Sequence, residues 1–222
     1  MKEFEMAKLD WRQRRSLAAI LPPTDVMILE AFQSDVYVQG KVDVQNEPLY
    51  DTFTIPNGQT PNENNTSLFT AVGPASNKTL AQTNLTTSRQ LPAPEAFSVL
   101  GIRLYWNEDI LLADLLAIVG TGAGGGLPYA FEFYLGQKCY NRGPIWYYSA
   151  GGGFVNQAGA AAVGIYTNGM PDRNSMHKLA IPLVIENLGQ FYARLTGGPA
   201  VVGATGFSLM CLLDGLHARG VQ

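Results

Sequence analysis

Lys178-Leu-Ala-Ile-Pro-Leu-Val-Ile-Glu186, Gln190-Phe-Tyr-Ala-Arg-Leu-Thr196 and Thr205-Gly-Phe-Ser-Leu-Met-Cys-Leu-Leu-Asp214 decide the fold. In the second of these, Phe191, Ala193 and Leu195 alternate with Gln190, Tyr192 and Arg194, the period-two pattern of a strand with one buried face. The third is apolar on both faces, as a central strand is, and Leu213-Asp214-Gly215 closes it. Pro182 has no N–H to give a ladder, so Lys178–Glu186 belongs at a sheet edge or a bulge.

Working upstream, Val36–Val44, Leu49–Ile55, Phe97–Trp106, Ala130–Leu135 and Ile145–Tyr148 add five more strands. Within the first, Val36, Val38, Val42 and Val44 face one way while Asp35, Tyr37, Gln39, Lys41 and Asp43 face the other. Phe97–Trp106 is apolar on both faces. Eight short strands with long, polar, Gly-rich connections describe an all-β antiparallel sandwich over residues 25–222.

Residues 1–24 differ in kind. Positions 2–20 are rich in strong helix formers, and Pro22-Pro23 stops the helix. Phe4, Ala7, Trp11 and Ala18 make one narrow apolar stripe on a charged rod, too little to hold it without a partner surface. Trp11 with Arg12, Arg14 and Arg15 suits contact with genome phosphates, anionic lipid headgroups or a neighbouring subunit. A second, short helix is expected at Asn107–Val119, with Asn107 as its N-cap. Residues 56–94 are a long polar connection carrying Leu68, Phe69, Leu80 and Leu85. Connections of that length are uncommon unless functional or held by partners.

Composition narrows the function. With 222 residues, 46% apolar, ten Phe and ten Tyr, one substantial core is available. Charged residues are only 15%, below the usual quarter or so, which fits a surface covered by neighbours. A net charge of −3 argues against wrapping nucleic acid with the body of the domain, and no sequence-specific nucleic-acid contact is expected. Met1–Arg15 is charged throughout and no signal peptide is expected there. The sequons at Asn64, Asn65, Asn77 and Asn84 read as features of a polar loop.

No catalytic constellation stands out. Gly120-Thr-Gly-Ala-Gly-Gly125 matches a dinucleotide fingerprint, but Pro128 and a strand follow where a helix should open, so it reads as a flexible loop. His177 and His217 stand alone as surface or interface histidines, with no spaced metal-ligand set. Cys139 and Cys211 lie in strand patterns and read as buried free thiols; a Cys139–His177 nucleophilic pair is the disfavoured alternative. The chain is expected to be no enzyme, with neither cofactor nor metal.

Phe97–Trp106, Phe131–Tyr140, Gly143–Trp146, Asn168–Pro171, Leu179–Ile185 and the run from Leu213-Asp214-Gly215 to Val221-Gln222 carry a resemblance. From Phe97 onward the chain resembles the single and double jelly-roll capsid proteins of icosahedral, membrane-containing viruses, bacteriophages included. The resemblance implies an eight-stranded jelly roll of two four-stranded sheets, self-assembling into capsomers packed side by side in a virion. It also implies other capsid proteins as partners and an N-terminal arm that reaches a neighbour or an internal lipid membrane. Synthesis in the host cytoplasm goes with that expectation. The other reading is a viral spike or lectin-like sandwich, with Trp146, Tyr147 and Tyr148 as a stacking platform for sugar.

Overall fold

The structure is a computed structural model describing residues 42–56, 58–59, 66–70, 76–106, 129–150, 155–156, 166–167, 177–197 and 207–220. These form antiparallel β-sheets with one 3-10 turn. Strands β1 (Val42–Gln45), β2 (Leu49–Ile55), β4 (Ala96–Trp106), β9 (His177–Ile185) and β11 (Phe207–Gly220) build a five-stranded sheet. Strands β3 (Ser67–Leu68), β5 (Ala130–Leu135), β6 (Lys138–Pro144) and β10 (Phe191–Thr196) build a four-stranded sheet in the order β3-β10-β5-β6. A two-stranded ribbon joins β7 (Val155–Asn156) to β8 (Tyr166–Thr167). The expected helix 2–20, the expected helix 107–119 and residues 36–41 of the first expected strand lie outside the described residues.

β11 organises the first sheet. One of its edges pairs with β4 along almost its whole length; the other pairs with β2 through Phe207–Leu213 and with β1 through His217–Gly220. It therefore runs well beyond Leu213-Asp214-Gly215, where the sequence pattern had it close. The apolar pattern breaks at Asp214-Gly215 because the β4–β11 register shifts there, Asp214 facing Gly101 and Gly215 facing Val99. Leu100 is the extra residue, and the bulge turns the phase of β4 by one position. Phe97 and Val99 before it and Ile102, Leu104 and Trp106 after it all point into the core. A strand that looked apolar on both faces is two half-strands, each apolar on one. Outward from the bulge, Arg103 and Asp214 form a bidentate pair at 2.5 Å.

The core lies between the sheets. Phe131 and Phe133 of β5 and Phe191, Ala193 and Leu195 of β10 face Phe97, Ile102, Leu104, Leu209 and Cys211 of the other sheet. Each fully buried aromatic or aliphatic side chain contributes about 1.5–3 kcal/mol of transfer free energy. The polar connection 56–94 is anchored in this core by its few apolar residues: Leu68, Phe69, Leu85 and Leu91 are buried, and Leu80 is not. Asp51 of β2 accepts the Phe69 N–H at 2.6 Å and the Lys78 ammonium at 2.8 Å. Asn84 accepts from the Tyr50 N–H and donates to the Pro48 carbonyl. Here the described part of that connection is held by its own domain.

Three further expectations are corrected. Val44 is 40% exposed, so the valine face of β1 does not turn inward at this position. Ile145–Tyr148 is a 3-10 turn rather than a strand, because Pro144 has no N–H to continue the ladder and Ile145 and Tyr148, three apart, are the residues that bury. β6 went unrecognised because Lys138-Cys-Tyr-Asn-Arg-Gly-Pro144 has no apolar alternation; it is the edge strand of its sheet and needs little core face.

Candidate functional site

One flank of the sandwich gathers exposed aromatic surface. β9 is the end strand of the first sheet, and β6 is the end strand of the second. Pro182 lies in the bulge of β9 where residues 179–182 stand opposite Leu100 alone, and Ile181 projects there, 77% exposed. The 3-10 turn crosses from the end of β6 to the far half of β4: Ser149 bridges Leu104, and the Ala150 N–H donates to the Leu104 carbonyl at 3.1 Å.

Two buried side chains fix this turn. Ile145 is buried and its N–H donates to the Tyr129 carbonyl. Tyr148 packs on Phe131 at 5.0 Å, and its hydroxyl donates to Asn141 Oδ1. Burial pushes the Tyr148 phenol well up from its ordinary value, so it stays a neutral donor. Between these anchors Trp146 and Tyr147 point outward, 50% and 52% exposed, with rings 6.4 Å apart at 89°. His177 at the start of β9 packs 4.5 Å from the Tyr147 ring and 5.0 Å from that of Tyr148. Tyr140 of β6, also exposed, carries the Lys138 ammonium 5.0 Å from its ring centroid. The expected three-ring platform thus divides: Trp146 and Tyr147 are available, and Tyr148 is core.

Burial lowers the His177 imidazole from its ordinary value, since a charged ring between two tyrosines is poorly solvated. Its neutral form fits the flank. The stability this contributes is present above the ordinary histidine value of about 6.5 and is lost as the pH falls below it. Wild-type protein should lose thermal stability between pH 7 and pH 5 by more than His177→Phe does; equal losses in differential scanning calorimetry would refute the assignment.

The outer face of the second sheet is polar and closed on itself. Arg194 of β10, Glu132 of β5 and Arg142 of β6 stand in one row across three strands. Glu132 lies 3.0 Å from Arg194 and 2.7 Å from Arg142 and accepts the Tyr134 hydroxyl at 2.8 Å. Burial raises its carboxyl, but the hydrogen bonds from Tyr134, Arg194 and Thr196 and the charge of Arg142 outweigh this and hold it below the usual range. Tyr134 and Tyr192 stack at 4.8 Å, with Arg89 on Tyr192 and Arg194 on Tyr134. Both rings and the Glu132 carboxylate are engaged by these neighbours, which ties three strands together.

The remaining sequence candidates divide as follows. Phe4, Trp11, Arg12, Arg14 and Arg15 lie outside the described residues. Both cysteines are free: Cys211 is buried, which pushes its thiol well up, whereas Cys139 is only half-buried, because β6 is polar, and donates to the Asn141 carbonyl. His217, expected at the surface or an interface, is buried within the fold beside Glu47 and Glu95. Among the described residues no group of three His, Cys, Asp or Glu is placed to hold a metal ion, and no described helix is long and apolar enough to cross a membrane. Tyr140 and Ile181 were missed as surface residues; an edge-strand proline beside Ile181 was the one available signal. No protein-family model, no curated protein and no solved structure matches the chain.

Proposed function

We propose that this chain is a jelly-roll subunit of an icosahedral viral shell, assembling with copies of itself. Strand order carries the reading. When β2, β3, β4, β5, β6, β9, β10 and β11 are numbered one to eight, the sheets run 1-8-3-6 and 2-7-4-5. Two interleaved Greek keys produce that order, and viral shells and lectins both use it. The choice between them rests on surface chemistry. A sequence with 15% charged residues and a flank presenting Tyr140, Trp146, Tyr147 and Ile181 suits a subunit whose sides are covered by its neighbours. Residues 1–24 then serve as the arm to a neighbour, to genome or to an internal membrane.

The Trp146–Tyr147 corner favours one second reading, a lectin-like module, because two exposed rings at 89° can stack on a sugar. Electron microscopy of the full chain at high concentration separates the two. Closed shells or hexagonal sheets are expected. A Trp146→Ser/Tyr147→Ser variant should keep its β-sheet circular dichroism and lose assembly, and deletion of residues 1–21 should leave a folded domain that builds no particles. Dispersed monomers that bind glycans through Trp146 would overturn the shell reading in favour of the lectin.

A further inference from the structure

The two flanks of the sandwich differ in charge. On the β6–β9 flank Lys138, Arg142 and Lys178 are exposed, and residues 136–150 and 177–185 contain no carboxylate. Arg142 is paired with Glu132 of the neighbouring strand, which leaves Lys138 and Lys178 to set the sign. The opposite flank is made by β1 and β2, with Thr83 and Asn84 lying along the outer edge of β2. Residues 42–55 there carry Asp43, Glu47 and Asp51 and no cation. Lys78 is taken up by buried Asp51, and Arg219 of β11 stands across from Asp43. Glu47, its side chain 44% exposed, is the open charge of this flank. Exposed apolar surface follows the same division. Among the described residues Tyr140, Trp146, Tyr147 and Ile181 lie on the first flank and Val44 and Leu80 on the second, the Leu80 carbonyl held by the Tyr50 hydroxyl. Of the exposed large apolar side chains, Leu188 alone sits apart from both, in the β9–β10 turn.

We propose that the β6–β9 flank of one copy docks on the β1–β2 flank of the next, a head-to-tail contact rather than a two-fold one. This rests on the reading of the chain as a self-assembling subunit and adds which surfaces meet. A two-fold contact through the aromatic flank would set Lys138 and Lys178 against the same cations of the partner, and like charges across an interface oppose association. The head-to-tail contact sets them against Glu47 and lays the aromatic flank over Val44 and Leu80. Backbone pairing plays no part in it. The outer edge of β2 is already occupied at Tyr50 and Asp51 by Asn84 and Thr83, and Pro182 with its bulge interrupts the edge of β9. A contact that uses a different surface on each copy repeats around a ring or along a row, as packing side by side requires.

Charge reversal in the full chain, read by sedimentation velocity, tests the pairing of flanks. Lys138→Glu/Lys178→Glu reverses one flank and Glu47→Lys/Leu80→Lys the other. Each variant alone should need a concentration higher by about tenfold or more to associate than wild type does. Mixed in equal amounts they should associate as wild type does, because the reversed flank of each meets the reversed flank of the other. If a double variant loses its β-sheet circular dichroism, Lys178→Glu and Leu80→Lys, single changes at exposed positions, take its place. Association of Glu47→Lys/Leu80→Lys alone at wild-type concentrations, or a mixture that stays monomeric while wild type associates, overturns the head-to-tail contact and leaves the shell reading standing. Wild type that stays monomeric at every concentration overturns both.

Discussion

Gly215→Ala should destabilise the domain by about 3 kcal/mol or more, near the top of the range for overpacking. A Cβ at this position would stand 1.9 Å from the Ser98 carbonyl oxygen and 2.8 Å from the Phe97 ring. A flexible side chain could yield to such an intrusion, but a carbonyl inside the β4–β11 ladder cannot move without opening the ladder. The site is also the bulge that sets the phase of β4, so relief by sliding would turn Phe97 and Val99 away from the core. Against a typical stability of about 5–15 kcal/mol, the loss takes a large share. Gly136→Ala is the control: its φ is +57° but nothing lies within 4 Å of the new Cβ, so only about 1–2 kcal/mol of backbone strain is expected. Urea denaturation of both variants checks this, and a loss below 1 kcal/mol at Gly215 would mean the bulge is not where the strands are pinned.

Lys78→Met should cost about 3–5 kcal/mol at neutral pH, the range for removing one partner of a buried ion pair. Asp51 has no exposure, and after the substitution its carboxylate keeps the Phe69 N–H but loses its only charged partner among the described residues. Burial already raises the Asp51 carboxyl above its ordinary value, against the opposing effects of Lys78 and the Phe69 N–H. A carboxyl raised in the folded state favours folding in acid, and this contribution is lost as the pH climbs through its folded value. The Lys78→Met deficit should therefore shrink as the pH is lowered from 7 towards 4. Asp51→Asn added to Lys78→Met should recover much of the loss, because a neutral amide needs no cation. If the double variant is no more stable than Lys78→Met in thermal melts, the buried charge is not the cause.

Strands that bury one face were legible in the sequence. Leu49–Ile55 and Ala130–Leu135 have the expected bounds, and Phe191–Thr196 shows the expected alternation. Pro182 marked a sheet edge or a bulge, and β9 has both. Edge strands held mainly by backbone hydrogen bonds were not legible, because Lys138–Pro144 needs few apolar side chains to pair with β5. Ile145–Tyr148 misled for a different reason: β-branched and aromatic residues suit strands, and the three-residue spacing of its buried pair is decided by tertiary contacts. The exposed flank was legible as aromatic composition, but which rings face outward was not. His217 gave no warning either, since Glu47 and Glu95 are remote from it in sequence and meet it only through strand pairing.

Among the described strands, β2 pairs with β11 alone, across separations such as the 154 residues between Thr54 and Ser208. Among the described residues, β4 likewise has only β9 and the bridge from Leu104 to Ser149 until β11 arrives. The middle of the sheet is thus the last described strand to be synthesised, and before it emerges β2 and one side of β4 present unpaired edges. Assembly so dependent on distant residues is slow. It also leaves the nascent chain exposed to strand exchange with other copies during the interval.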